Sequence, residues 1–111
     1  MSRLEKLRKL RELDPADADV PYMIAQEHAK TGDHAEAVSW YDRCIELDAD
    51  YHYAYFHKAK SLEANDALEE AMQTLEVGVQ RSRAAANAKA IGELGEYLSQ
   101  LQDDVRSRAS G

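Results

Sequence analysis

The feature of this 111-residue sequence that most limits its fold is a repeat with a period of 34 residues. Laying residues 18–51 over 52–85 puts Ala25 on Ala59, Ala37 on Ala71, Glu36 on Glu70, Val38 on Met72 and Ile45 on Val79. In the same frame Tyr41 meets Leu75, Cys44 meets Gly78 and His28 meets Leu62. Small and large positions recur together, as two antiparallel helices require where they cross closely. Ala25, Ala37 and Cys44 let the backbones approach, and Tyr41 and Ile45 fill the spaces between them. Within each copy the apolar residues follow a helical spacing, as in Val38, Tyr41 and Ile45 and again in Met72, Leu75 and Val79, and not the alternation of a strand.

Residues 32–50, GDHAEAVSWYDRCIELDAD, resemble the second half of a tetratricopeptide repeat. Gly32 falls at the inter-helix turn, Ala37 and Tyr41 at the small and aromatic positions, and Cys44 where a small residue is expected. The first half, residues 18–31, fits through Ile24 and Ala25, although Pro21 stands where an aromatic is usual. The second copy restores Tyr55 there and keeps Ala59, Leu62, Ala71 and Leu75, but departs at Lys58, Asp66 and Gly78. The helix-terminating Pro of the family is missing from both copies, where Ala49 and Arg83 stand. The resemblance implies an all-α fold of antiparallel helix hairpins stacked as a right-handed solenoid, with about six helices once the flanks are included.

The expected single domain spans residues 1–104, with repeats at 18–51 and 52–85. The hairpin helices are expected at about 19–31 and 34–47, then 52–64 and 67–83. An opening helix over 2–13, with Leu4, Leu7, Leu10 and Leu13 on one side, stops before Pro15 because the residue before a proline is pushed out of the helical region. A last helix over 87–103, capped by Asn87, lines up Ile91, Leu94, Leu98 and Leu101. Stacked repeats leave apolar faces at both ends, so both outer helices read as caps. Residues 105–111, VRSRASG, read as a flexible tail.

Charge narrows the partner. The formal net charge of −7 divides into +3 over residues 1–13, −11 over 14–80 and +1 over 81–111. An acidic middle repels phosphate backbones and attracts basic segments, so nucleic acid is not the expected ligand. The opening helix carries Arg3, Lys6, Arg8, Lys9 and Arg11, but its interspersed leucines fit a cap, and no stretch is apolar enough to span a membrane. The single cysteine, Cys44, allows no internal disulfide, which points to the reducing cytoplasm. His28, His34, His52 and His57 give no pair one helical turn apart, so neither a metal site nor a cofactor is expected. The carboxylates fall mainly on solvated faces and at helix starts such as Asp33 and Asp66, no nucleophile has a base and orienting group beside it, and no enzyme is expected.

In the family, the first helix of each pair lines a groove. Carried over by position, the groove residues are Asp19, Tyr22, Gln26 and Lys30 in the first repeat and Tyr53, Phe56, Lys60 and Glu63 in the second, with Tyr51 close by. The segment 51–57 holds four of the eight aromatics, and one helix cannot bury all of them on one side, so either some face an open groove or the last helix folds into that groove and buries them. The function this implies is a protein- or peptide-binding scaffold acting through Tyr22, Gln26, Lys30, Tyr53, Phe56 and Lys60. The alternative is self-association into a weak homodimer. Some members of the family grip a C-terminal carboxylate with Lys, Asn and Arg. Tyr22, Gln26 and His57 stand at those places here, which disfavours a tail of that kind.

Overall fold

In the computed structural model, which describes residues 2–110, the chain forms α1 (Arg3–Leu13), α2 (Asp19–Lys30), α3 (His34–Leu47), α4 (His52–Ala64), α5 (Leu68–Ala84) and α6 (Ala88–Ser110). Each helix packs on its neighbour in sequence and α4 also touches α6. The helices thus form two layers, α2, α4 and α6 against α1, α3 and α5, in a stack of 50 × 32 × 17 Å. The small positions of the repeat lie at the crossings, with Ala25, Ala37, Ala59 and Ala71 fully buried. Gly78 marks the tightest approach, since a Cβ there would come within 3.0 Å of both Tyr55 Cβ and Leu94 Cδ1. Lys58, a departure from the family pattern, spans the two repeats by placing Nζ 2.6 Å from Asp42 Oδ1.

Three helices end in the same way. The residue after the cap turns left-handed, at Gly32 (φ 80°), Asp66 (φ 60°) and Ala86 (φ 52°). The amide that follows each one then bonds back into the helix, Asp33 N to His28 O, Ala67 N to Leu62 O and Asn87 N to Ser82 O. These are Schellman endings, which glycine fits without strain. Asp66 therefore stands in place of the turn glycine, as its position in the repeat predicts, and α5 has no side-chain cap, whereas Asp33 does cap α3 at Glu36 N. Asn87 caps α6, its Oδ1 accepting from Ala90 N at 3.1 Å. Left-handed backbone costs an alanine roughly 1 kcal/mol. Ala86→Gly is expected to raise stability by about 1 kcal/mol and the melting temperature by several degrees in a thermal melt.

Two expectations are corrected. α6 runs on to Ser110 where the sequence predicts a tail. No Pro or Gly interrupts it after Gly95, Arg106 pairs with Asp103, and Arg108 reaches Asp66 on the turn between α4 and α5. In α1 only the first half of the leucine stripe docks: Leu7 is buried and Leu4 half-buried, whereas Leu10 and Leu13 are 47% and 81% exposed. The reason is periodicity. At about 100° per residue, a strict three-residue spacing turns back about 60° at each step, so Leu13 points away from Leu4.

Candidate functional site

The layer made by α2, α4 and α6 carries all six predicted groove residues; Gln26 and Lys30 line a cleft on one side of α4, Phe56 and Lys60 line a cleft on the other, and Tyr22 and Tyr53 line neither. On the α2 side, Tyr22 lies half-buried with its ring 5.9 Å from Tyr41, 5.0 Å from Tyr51 and 6.0 Å from His57. Gln26 Nε2 donates to the Tyr22 hydroxyl at 3.0 Å, and the Tyr51 hydroxyl donates to Asp19 Oδ1 at 2.6 Å, tying the repeat junction to the start of α2. Lys30 is exposed and shares the Glu27 carboxylate with Arg3, at 3.2 and 2.8 Å. These two cations, Lys30 foremost, hold Glu27 below the usual carboxylate range. The cleft, about 370 Å³, has Tyr41 and His57 in its lining with Gln26 and Lys30 on its α2 wall.

Between α4 and α6 lies a second cleft of about 270 Å³, lined by Phe56, Lys60, Glu93, Glu96, Tyr97 and Gln100. Phe56 packs on Tyr97 with ring centroids 5.2 Å apart. The Tyr97 hydroxyl donates to Glu63 Oε1 at 2.5 Å. Burial, and then this carboxylate, push the Tyr97 hydroxyl's pKa up. Lys60 places its ammonium 5.5 Å from the Phe56 centroid and 5.1 Å from that of Tyr97. Tyr53 is 40% exposed at the start of α4, its ring centroid 4.2 Å from that of His52 and tilted against it by 38°. It lies close enough to Tyr22 to add to the effect of burial and Cys44 in raising that hydroxyl's pKa.

His52 and His57 are both half-buried. The His57 ring stands among Tyr22, Tyr41 and Phe56, and burial, then Lys60, lowers its pKa, so it is a neutral wall and not a cation at neutral pH. His34 Nδ1 lies 3.2 Å from Ser61 Oγ across the first and second hairpins. Among the described residues no group of three or more His, Cys, Asp or Glu is placed to hold a metal ion. Cys44 is fully buried and its thiol is pushed up to about 12 by that burial, so it has no thiolate to offer as a nucleophile at neutral pH.

Sequence reasoning overlooked the α6 wall: Glu93, Glu96, Tyr97 and Gln100. The sequence reads α6 as a cap, with the rival reading that it folds into the groove and buries the rings itself; in the structure α6 packs on α5 as α4 packs on α3, and so stands where the first helix of a further hairpin would. The available signal was Tyr97, the one aromatic after residue 57.

Residues 18–51 match the family model described as tetratricopeptide repeat. No curated protein matches the chain significantly in sequence. Among solved structures, a tetratricopeptide repeat domain protein from Salinibacter ruber is similar at 29% identity and a TM-score of 0.74, over 81% of this chain and 91% of that one. The type III secretion translocator chaperone of Yersinia enterocolitica is similar in fold, with a TM-score of 0.80 at 19% identity over 97% of this chain and 72% of its own. So is the first tetratricopeptide domain of Spaghetti, solved bound to an HSP90 peptide, with a TM-score of 0.70 at 24% identity over 90% of this chain and 79% of that one. Repeat pattern, stacked hairpins and family match coincide: residues 18–51 are a tetratricopeptide repeat, and the chain has the all-helical fold of tetratricopeptide repeat proteins.

Proposed function

We propose that this chain is a scaffold that holds a protein or peptide segment across the α2, α4 and α6 layer. The tetratricopeptide fold is a scaffold type for protein–protein interaction. One observation carries the reading here: the aromatics divide into two sets. Trp40, Tyr41, Tyr55 and Tyr97 are buried and hold the stack together, whereas Tyr22, Tyr51, Tyr53 and Phe56 keep accessible surface in or beside the clefts. Tyrosine and phenylalanine bring large contact area at small entropy cost, which suits them to anchor an interface. The Spaghetti domain, similar in fold, is bound to an HSP90 peptide. A carboxylate-ended tail is nonetheless not the partner we propose, because Tyr22, Gln26 and the neutral His57 stand where such a clamp uses Lys, Asn and Arg. The proposal sets the protein in the cytoplasm, since its lone buried thiol has no use for an oxidising compartment.

Peptides selected on the immobilised protein from a random display library provide the test. The double substitution Tyr53→Ala with Phe56→Ala is expected to weaken their binding by roughly tenfold to thirtyfold, as loss of interface anchors does. Far-ultraviolet circular dichroism should stay unchanged. Unaltered binding would remove the groove from the account, and a large loss of helicity would show the two rings to be core. Self-association is the second reading, drawn from the exposed Leu10, Leu13 and Leu47. A species that sediments at 12.5 kDa at every concentration removes it.

A further inference from the structure

We infer that the cleft between α4 and α6 is a subsite for one basic side chain, an arginine or lysine, of the segment held in the groove; this rests on the scaffold reading above. The chain itself supplies the first argument. Lys60 is exposed and free to extend into water, yet its ammonium lies over the faces of both Phe56 and Tyr97. A cation over an aromatic face is attracted by the ring quadrupole, so the two rings form a seat for positive charge that an internal lysine occupies while no partner is bound.

The rim supplies the second. Glu93 and Glu96 line the cleft, and Glu63 stands beside Tyr97, tied to its hydroxyl. Lys89 draws on Glu93 only at 3.8 Å, and it is 70% exposed. Two carboxylates therefore line the cleft and a third stands beside it against one lining ammonium, leaving the cleft net negative even with Lys60 in place. A partner's guanidinium or ammonium would complement that charge and share the rings, and Lys60 would swing out into solvent. Two cations cannot share the seat, so Lys60 acts as a displaceable plug. An anionic or purely apolar side chain would leave the carboxylates without a counter-charge, and the acidic balance of the whole chain, −7, would keep anions away.

The plug gives the inference a signature of opposite signs. The probe is N-acetyl-arginine amide, compared with its uncharged isostere N-acetyl-citrulline amide, each titrated into the full chain and read from backbone amide NMR shifts. The arginine probe is expected to shift Phe56, Lys60 and Tyr97 in a saturable way, with the citrulline probe about tenfold weaker. Lys60→Ala should tighten arginine binding by about threefold, and Glu93→Gln with Glu96→Gln should weaken it by about fivefold. Equal response to the two probes, or weaker arginine binding in Lys60→Ala, would overturn the subsite. A silent arginine probe with display-selected peptides that still need Tyr53 and Phe56 would sink the subsite and keep the groove. A saturating arginine response with no selectable peptide would keep the subsite and count against the groove.

Discussion

Replacing Tyr41 by Ala is expected to cost about 3–5 kcal/mol of folding stability, the range for deleting a buried aromatic ring. Tyr41 is the largest of the fully buried side chains, 1% exposed, and it sits at the family's aromatic position on α3. Its ring stacks on His57 at 6.4 Å and meets Tyr22 at 5.9 Å, so it links the first hairpin to the second and floors the α2-side cleft. Its neighbours lie on helices held by other contacts and cannot collapse fully into the space it leaves. Domains of this size have only about 5–15 kcal/mol in hand, so the variant should unfold at much lower urea and lose the order of Tyr22 and His57 even where it remains folded. Tyr41→Phe is the control. The Tyr41 hydroxyl makes no side-chain hydrogen bond among the described residues, and burial, with Tyr22 and Cys44 adding to it, raises its pKa, so the phenylalanine should cost under about 1 kcal/mol. If Tyr41→Ala lost no more than its control, close packing at this crossing would not be what joins the repeats.

Why the sequence announces the hairpins so clearly and the groove so incompletely follows from what each depends on. Ala25 with Ala59 and Ala37 with Ala71 recur because a close crossing admits nothing larger, and a steric requirement of that kind repeats with the helix pair. The turns repeat through backbone geometry, so Asp66 and Ala86 take the left-handed role of Gly32 although the residue type changes. The groove has no such constraint. Tyr22 and Phe56 can be placed by register, but their surroundings come from helices far away in sequence: His57 is turned neutral by burial among rings from α2, α3 and α4, and Phe56 is paired by Tyr97 on α6. The 34-residue period stops being readable in α6, where fully buried Ala90 and Leu94 replace the earlier pattern, and so its second role as a groove wall is invisible until the helices are stacked. The leucine stripe of α1 misleads in the opposite sense, because four leucines three apart look like one face but wind around half the helix.

Leu94→Asp should have the largest effect of any single change, about 4 kcal/mol or more, because it adds a buried charge to the loss of a core side chain. Leu94 is fully buried, and its Cδ1 lies against the one place, Gly78, where α5 has no side chain to interpose. A carboxylate there would face Gly78 and Tyr55 with no basic partner among the core residues that surround it. The cheapest response is for α6 to leave the stack, exposing Leu75 and Val79 and taking Tyr97 away from Phe56. The expected result is a marked fall in the urea midpoint, protease cleavage opening in the turn after Ala84, and disappearance of the arginine response at Phe56 and Lys60, since the acidic wall goes with the helix. Stability should recover partly as the pH falls, because an aspartate buried in apolar surroundings has a raised pKa, and its penalty grows as the pH rises through the unfolded value. Leu94→Met, which keeps the volume, should cost less than about 1.5 kcal/mol and leave the cleft intact. If Leu94→Asp instead behaved like Leu94→Met, α6 would not be docked through this contact, and the end of the repeat array, together with the subsite built on it, would have to be placed elsewhere.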